Sequence, residues 1–494
     1  MSIGFDTDPA GCADALSRLA SAGFSEEAVR SRLGLADLNE LQLRAAHIYR
    51  QERLRERDAL ASAIDLFLLQ GTVPTTELNR LFSGADQQAL TAGGILERRG
   101  DFARGQASLY PVGSDLILSD HASHELDDGG GDTAVHDRVM YIGTDSRWLA
   151  RATIRRPVPA MLDLCCGSGI HALLAASHAE QATAVDINPR AVKCTAFNAR
   201  LKRLANVEAL QGDLYGPIGD RRFELITANP PFVPAPTQQV GFRDGGPSGE
   251  DVQRRIIEGL PRHLAKGGTA QIVTELGESD GEPLDRRLRR WLGTAPIDIH
   301  VLRLRTHAAQ AYAIGHADGA DSRAFLESVG AWAANLKAHG YSRIVSVLLA
   351  FQWSDGTPWS RVDEAHPPTK SAGLEVQGIF AAERLTRDPA LAQRLRAGSI
   401  ARTGPVAIFE ARTLGVDVPP TVHARLFGRA LSVEHSLTPL ELDLLTGLER
   451  PVATTNLLAI AAKLAVPEET VLNALVALVG KGLVQPVVAT GVAT

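Results

Sequence analysis

The chain has 494 residues, more than a single hydrophobic core organises, so two to four domains are expected. Hydrophobic residues at 45% and charged residues at 22% are ordinary for a globular protein, and no run approaches the ~18 apolar residues that cross a bilayer. A formal net charge of -6 argues against gripping nucleic acid through many phosphates, while leaving room for a local basic face.

The first residues, Met1 to Asp8, lack the basic and apolar regions of a secretory signal, so a cytoplasmic, non-membrane location is expected. Cys12, Cys165, Cys166 and Cys194 are too few for a disulfide scaffold and have no zinc-site spacing. They read as small buried residues, and no metal is expected.

The N-terminal ~55 residues read as short helices rich in Ala, Leu, Arg and Glu. From Asp58 the pattern becomes an apolar helix (Ala59 to Leu69), a Gly-Thr-Val-Pro break, and two short helices around Thr75–Phe82 and Asp86–Ala92. Ile95 to Gly100 and Ala107 to Val112 then resemble the two strands of a wing, which predicts a winged-helix-like module within an N-terminal domain of residues 1–125. Its presumed second and third helices carry one basic residue, Arg80, so docking is the expected role rather than DNA binding. Leu126 to Asp132, rich in Asp and Gly, reads as a flexible loop.

From Ala160 to about His316, apolar β-type runs alternate with amphipathic helices, the pattern of a parallel, doubly wound α/β sheet. Seven strands are expected at Ala160–Leu164, Ala182–Asp186, Val207–Leu210, Glu224–Ala228, Thr269–Glu275, Ile297–Leu304 and Ala309–Ile314, within a domain of residues 135–318. Residues 319–430 read as an α/β accessory region containing a further apolar strand, Arg343–Trp353. Residues 431–494 give three helices and a last strand, Leu483 to Val488, a second winged-helix-like module. Its third helix, Glu468–Val479, has no Lys or Arg and is expected to pack rather than enter a groove.

Within the sheet, Met161-Leu162-Asp163-Leu164-Cys165-Cys166-Gly167-Ser168-Gly169 is a buried strand followed by a glycine turn. Gly167 and Gly169 permit positive φ and close approach of a ligand. The three-glycine pattern of a dinucleotide site is absent, since Ala172 stands at its third position. Asp163 is placed to meet a ligand's ammonium. Asp186, at the tip of the second strand, can accept two ribose hydroxyls; the plainer alternative is a cap on the helix opening at Pro189. Asp213 can accept from an exocyclic adenine amine, with Leu214 flanking the ring. This succession resembles the class I S-adenosylmethionine methyltransferases, with a Rossmann-like core.

The fourth strand ends in Asn229-Pro230-Pro231-Phe232. Two prolines stiffen the corner, Asn229 and a nearby backbone carbonyl can accept from one NH₂ group, and Phe232 offers a face to a planar group. Such acceptors enrich a delocalised nitrogen and aim it for in-line transfer.

With Asp244-Gly245-Gly246-Pro247-Ser248-Gly249, Lys266-Gly267-Gly268 and Val139 to Ser146, the stretch Val139–Gly277 is similar to the HemK-like release-factor glutamine methyltransferases. That resemblance implies S-adenosylmethionine as cofactor. It places Asp163, Cys165, Gly167, Gly169, Asp186, Asp213, Leu214 and Asn229 at the cofactor, and Asn229, Pro230 and Phe232 at the target nitrogen. Val139 to Ser146 would close over both. The family more often has Tyr where Phe232 stands, and its small helical N-terminal domain is not recognisable here. The expected acceptor is a protein glutamine amide; a base amine in rRNA, tRNA or DNA is the alternative, and a small metabolite a third. His171 reads as helix-start packing, and His121, His124 and His136 match no metal spacing.

Overall fold

The structure is a computed structural model that describes residues 3, 5–21, 23–121, 138–237, 240–279, 281–412 and 420–487. The loop expected at 126–132, with His124 and His136, lies outside them, as does Val488 of the expected last strand.

Two compact units emerge: one of residues 1–150, 156–299 and 306–360, the other of residues 151–155, 300–305 and 361–494. Among the described residues the first unit holds a large mixed sheet. Seven of its strands build the part that matters for the site: β1 (Val158–Leu164), β2 (Ala179–Asp186), β3 (Val207–Gln211), β4 (Phe223–Ala228), β5 (Leu264–Glu278), β6 (Ile297–Ala308) and β7 (Arg343–Trp353). Their order across the sheet is β3-β2-β1-β4-β5-β7-β6. β1 to β5 pair in parallel and β7 runs antiparallel to β5.

The order reverses at β1, between β2 and β4, so the loops leaving the ends of those strands diverge and open a crevice. Leu162, Leu164, Val185, Ile226 and Ala228 are fully buried, the near-continuous apolar runs of a sheet covered on both faces.

The seventh strand is not where the sequence placed it. Ala309–His316 is a helix, α6, and β7 takes the strand position. Ala-Gln-Ala-Tyr-Ala-Ile alternates in composition, but its alanines favour helix, and Tyr312 and Ala313 face inward while Ile314 is exposed. Arg343–Trp353, by contrast, is β-branched and buried along most of its length, as an interior strand must be. Five other helices of this unit are α1 (Thr144–Ala152), α2 (Ile170–Ala175), α3 (Pro189–Leu201), α4 (Asp251–His263) and α5 (Leu284–Leu292), and α7 (Ser322–Ala338) follows α6.

In the N-terminal segment, helix Ala59–Phe67, strand Thr72–Pro74, helices Thr75–Leu81 and Gly84–Ala92 and strands Leu96–Arg99 and Phe102–Gly105 follow one another. The hairpin is shorter than expected and closes directly after Arg99: Arg99 pairs with Phe102 across Gly100, whose φ is +60°. Ser108–Val112, expected as its partner, pairs instead with Asp115–Ser119 across Gly113 at φ +61°. Each register is set by a glycine that takes up left-handed backbone in a two-residue turn. The segment shares one core with the sheet domain: Phe5 lies edge-on to Phe197 of α3 at 5.6 Å, and Asp120 accepts from Arg190 Nε at 2.8 Å.

The second unit holds strands Ser360–His366, Ser432–Leu437, Thr421–Leu426 and Val406–Ala411 as neighbours in that order, and a small sheet in which Ser399–Arg402 lies between Val452–Ala453 and Val484–Val487. Helices Pro439–Thr446 and Glu468–Gly480 pack over the small sheet through Leu444, Leu445, Val471, Leu475 and Leu478.

Candidate active site

β1 ends in a turn that only unusual backbone can make. Cys165, Gly167 and Gly169 have φ of +56°, +54° and +82°. A Cβ on Gly167 would meet nothing within 4 Å, because that residue faces open space. A Cβ on Gly169 would lie 2.7 Å from Thr195 Cγ2, so this glycine lets α2 and α3 approach each other. The two glycines thus have different tasks: the first admits a ligand, the second packs helices.

The open space belongs to a cavity of about 330 Å³, within the ordinary range for small-molecule sites. Cys165, Gly167, Asp186, Asp213, Leu214 and Asn229 of the expected site residues line it, as do Val139, Met140, Tyr141 and Ser146 of the upstream segment. Asp163, Gly169, Pro230 and Phe232 are not on its wall, although Pro231 is. Phe232 packs against the cluster of Val233, Tyr312 and Trp332.

Asp186 is held by the backbone. Its Oδ2 accepts from Gly167 N and its Oδ1 from Asn188 N, both at 2.9 Å. Asn188 in turn caps α3 by accepting from Arg190 N at 2.8 Å, so the capping role weighed for Asp186 is filled by its neighbour. Burial raises the Asp186 carboxyl above its ordinary pKa against those hydrogen bonds, leaving a poorly hydrated acceptor beside the glycine turn. Cys165 also feels burial, which pushes its thiol far up and keeps it protonated.

Asp163 lies beneath the turn, fully buried, accepting from Thr227 Oγ1 at 2.9 Å and Ala172 N at 3.3 Å. Burial, with a smaller contribution from the Asp186 charge, pushes it up to about 7. A folded pKa above the ordinary 3.8 favours the protonated form in the folded chain, so the stability this group contributes is lost as pH rises through about 7. Between about pH 4 and about pH 7 the melting temperature of the wild type should therefore fall relative to Asp163→Asn; parallel melting profiles would contradict this.

Asp213 and Leu214 close the far side. Leu214 has φ +49° and is 8% exposed. Asp213 receives Arg255 Nη2 of α4 at 2.7 Å, with both side chains about half exposed. Arg255, Arg138, Phe242 and Val252 are wall residues that no motif announced. The pairing of Arg255 with a partner 42 positions away leaves no local trace in sequence.

The corner after β4 carries the site's most telling arrangement. Asn229 Nδ2 donates to Asp145 Oδ2 at 3.2 Å and to Ser146 Oγ at 3.1 Å. A carboxylate only accepts, so Asp145 fixes which end of the carboxamide faces it. Asn229 Oδ1 is consequently turned the other way; it is buried and receives no hydrogen bond. A desolvated acceptor without a donor is unfavourable, and a ligand that supplies the donor relieves that cost. Asp145 is itself raised by burial, which the hydrogen bonds from Ser146 N and Asn229 oppose.

The corner is packed backbone to backbone against the next loop. Phe232 N and Val233 N both donate to Arg243 O, at 3.1 and 2.9 Å, and Gly245 N donates to Val233 O at 2.9 Å. A Cβ on Gly245 would come within 2.7 Å of Pro231 O and 2.9 Å of Phe232 Cα, so the Asp-Gly-Gly segment tolerates no side chain there. Among the described residues no group of three or more His, Cys, Asp or Glu is placed to hold a metal ion, and no helix is long and apolar enough to cross a membrane.

A family model described as methyltransferase small domain matches residues 143–291, and one described as a domain of unknown function (DUF7059) matches residues 21–107. A ribosomal protein uL3 glutamine methyltransferase of Bradyrhizobium diazoefficiens is 41% identical over 134 residues, covering 24% of this chain and 41% of its own. A release factor glutamine methyltransferase of Geobacter sulfurreducens is 29% identical over 166 residues, 31% of this chain and 58% of its own. One from Thermodesulfovibrio yellowstonii is 32% identical over 135 residues, 25% of this chain and 48% of its own. The chain thus spans from two fifths to under three fifths of the length of these relatives. Residues 143–291 thus match the methyltransferase small domain model, and the relatives that resemble this chain are named as glutamine methyltransferases.

Proposed function

We propose that the chain is an S-adenosylmethionine-dependent N-methyltransferase acting on the side-chain amide of a glutamine in a protein. The observation that carries this reading is the carboxamide of Asn229, whose donors are tied to Asp145 and Ser146 and whose buried oxygen has no partner.

The cavity suits the cofactor. Gly167 leaves room for it, Asp186 offers a buried carboxylate to ribose hydroxyls, and Asp213 with Leu214 frames the adenine edge. The bound cofactor supplies an electrophilic methyl group on a sulfonium. The protein's part is to present the nitrogen. An amide nitrogen shares its lone pair with its carbonyl and is a poor nucleophile. Asn229 Oδ1 and a nearby backbone carbonyl accept its two N–H bonds, which aims the nitrogen and stabilises the positive charge that grows on it; one of those protons leaves as the C–N bond forms and the methyl–sulfur bond breaks.

A protein acceptor is favoured over a nucleic acid by charge as well as by the relatives. The cavity wall carries Asp186, Asp213 and Asp244 against Arg138 and Arg255, with no cationic excess for phosphates. The alternative, an exocyclic amine of a base, draws support from the order helix, strand, two helices, hairpin in the N-terminal segment. We read residues 1–125 and 431–494 as winged-helix-like modules that dock rather than enter a groove, since helices Gly84–Ala92 and Glu468–Gly480 contain no Lys or Arg.

Incubation with methyl-labelled cofactor, release factor, uL3 and total RNA separates the readings. Label that survives nuclease and disappears with protease is expected; label lost to nuclease would replace this reading by the alternative. Gly245→Ala should force the two loops apart, lowering turnover by roughly tenfold or more while cofactor affinity stays within about threefold. Wild-type turnover in that variant would show that the packing of the two loops is unimportant.

A further inference from the structure

Two helices that no motif announced stand behind the reactive corner. α6 and α7 connect β6 to β7, and α7 buries only Trp332 and Leu336. With Tyr312, Val233 and Ala235 these form one small apolar cluster, against which Phe232 packs. The connection therefore touches the loop that begins at Asn229.

Asn335, in the last turn of α7, makes the polar part of that contact. Its Nδ2 donates to Pro234 O at 2.9 Å and to Pro247 O at 2.8 Å. Pro234 belongs to the loop continuing from Asn229-Pro230-Pro231-Phe232, and Pro247 to the Asp-Gly-Gly-Pro loop. Nearby, Tyr341 Oη donates to Ser248 O at 3.1 Å, and its ring occupies the space that a Cβ on Gly277 would fill. On their inner side the two loops are joined by the bonds of Phe232, Val233 and Gly245; on their outer side one carboxamide holds both. Asparagine is a poor helix former, and here its placement in a helix is explained by the two carbonyls it reaches.

We propose that Asn335 is a positioning residue for methyl transfer: it clamps the two proline-rich loops and so fixes where Asn229 presents its oxygen. This rests on the reading of Asn229 given above. Misplacing a reactive group by about 1 Å costs on the order of 10²-fold in rate. A single clamp lost, with the inner bonds intact, should cost somewhat less.

The test compares Asn335→Ala and Asn335→Asp in the full chain, with release factor and uL3 as acceptors, and follows amide hydrogen exchange without any acceptor. In Asn335→Ala, kcat should fall by about tenfold or more, with cofactor Kd and binding stoichiometry within about twofold of wild type. Exchange should rise in residues 231–237 and 240–249 and stay unchanged in β1 and β4. Asn335→Asp should be slower still, although it is nearly isosteric, because its carboxylate would face two carbonyls. A purely packing role predicts the reverse, with Asp closer to wild type than Ala. Unchanged exchange in the loops, or Asn335→Asp at least as fast as Asn335→Ala, would overturn the proposal. Should the wild type methylate neither protein, the functional reading falls while the exchange data still decide the clamp.

Discussion

Asn229→Ala is expected to lower methyl transfer by roughly 10²-fold or more, the scale of losing one positioned polar group in a water-poor site. The alanine removes the buried acceptor Oδ1 and, with it, the donor that Asp145 and Ser146 receive. The cofactor contacts proposed for Asp186 and Asp213 lie on other strands and are untouched, so cofactor Kd should move by less than about threefold. Asn229→Asp should be no better. Its carboxylate would face Asp145, already raised by burial, and two desolvated carboxyls cannot both ionise at that distance. Turnover and calorimetry together check the expectation, and near wild-type turnover would remove Asn229 from the mechanism.

Asp186→Ala should act on the other partner. Two hydroxyl hydrogen bonds to a buried carboxylate are worth about 1.5–3 kcal/mol each, about 3–6 kcal/mol together, so cofactor Kd should rise by roughly 10²- to 10⁴-fold. Part of that loss arises in the protein itself, because Gly167 N and Asn188 N both donate to this carboxylate. Asp186→Asn separates the contributions. It keeps one oxygen for one backbone N–H and turns an NH₂ towards the other, so it should also bind the cofactor weakly while melting closer to the wild type. An unchanged Kd in Asp186→Ala by calorimetry would rule out the ribose contact.

What could be read from the sequence follows from how the site is built. Parallel strands present their C-terminal ends on one side of the sheet, so motifs at the ends of β1, β2, β3 and β4 converge wherever those strands are neighbours. The glycine turn, Asp186, Asp213 and Asn229 were legible for that reason, each being a short signal at a strand end. The partners that hold them were not. Asp145 and Ser146 reach Asn229 across 84 and 83 positions, and Arg255 reaches Asp213 across 42. Such pairings are fixed by tertiary packing and leave no periodic or local pattern. Asp163 and Phe232 illustrate the complementary limit: their residue types fit ligand contact, yet the first sits under the turn and the second in an apolar cluster. Ala309–Ile314 reads as a strand because its apolar residues alternate, whereas helix propensity and one-sided burial make Ala309–His316 a helix. Sequence alone misplaces the first hairpin because Gly100 and Gly113 each close a turn, and only the pairing shows which strands they join.

The proposed acceptor is a flat NH₂ group held by Asn229. Tandem mass spectrometry of release factor and uL3 after reaction with trideuteromethyl-labelled cofactor tests it most directly. The mass increment is predicted on the side-chain nitrogen of a glutamine, and absent when Asn229→Ala replaces the wild type. An increment on a backbone, lysine or carboxylate position, or one that persists in Asn229→Ala, would contradict it.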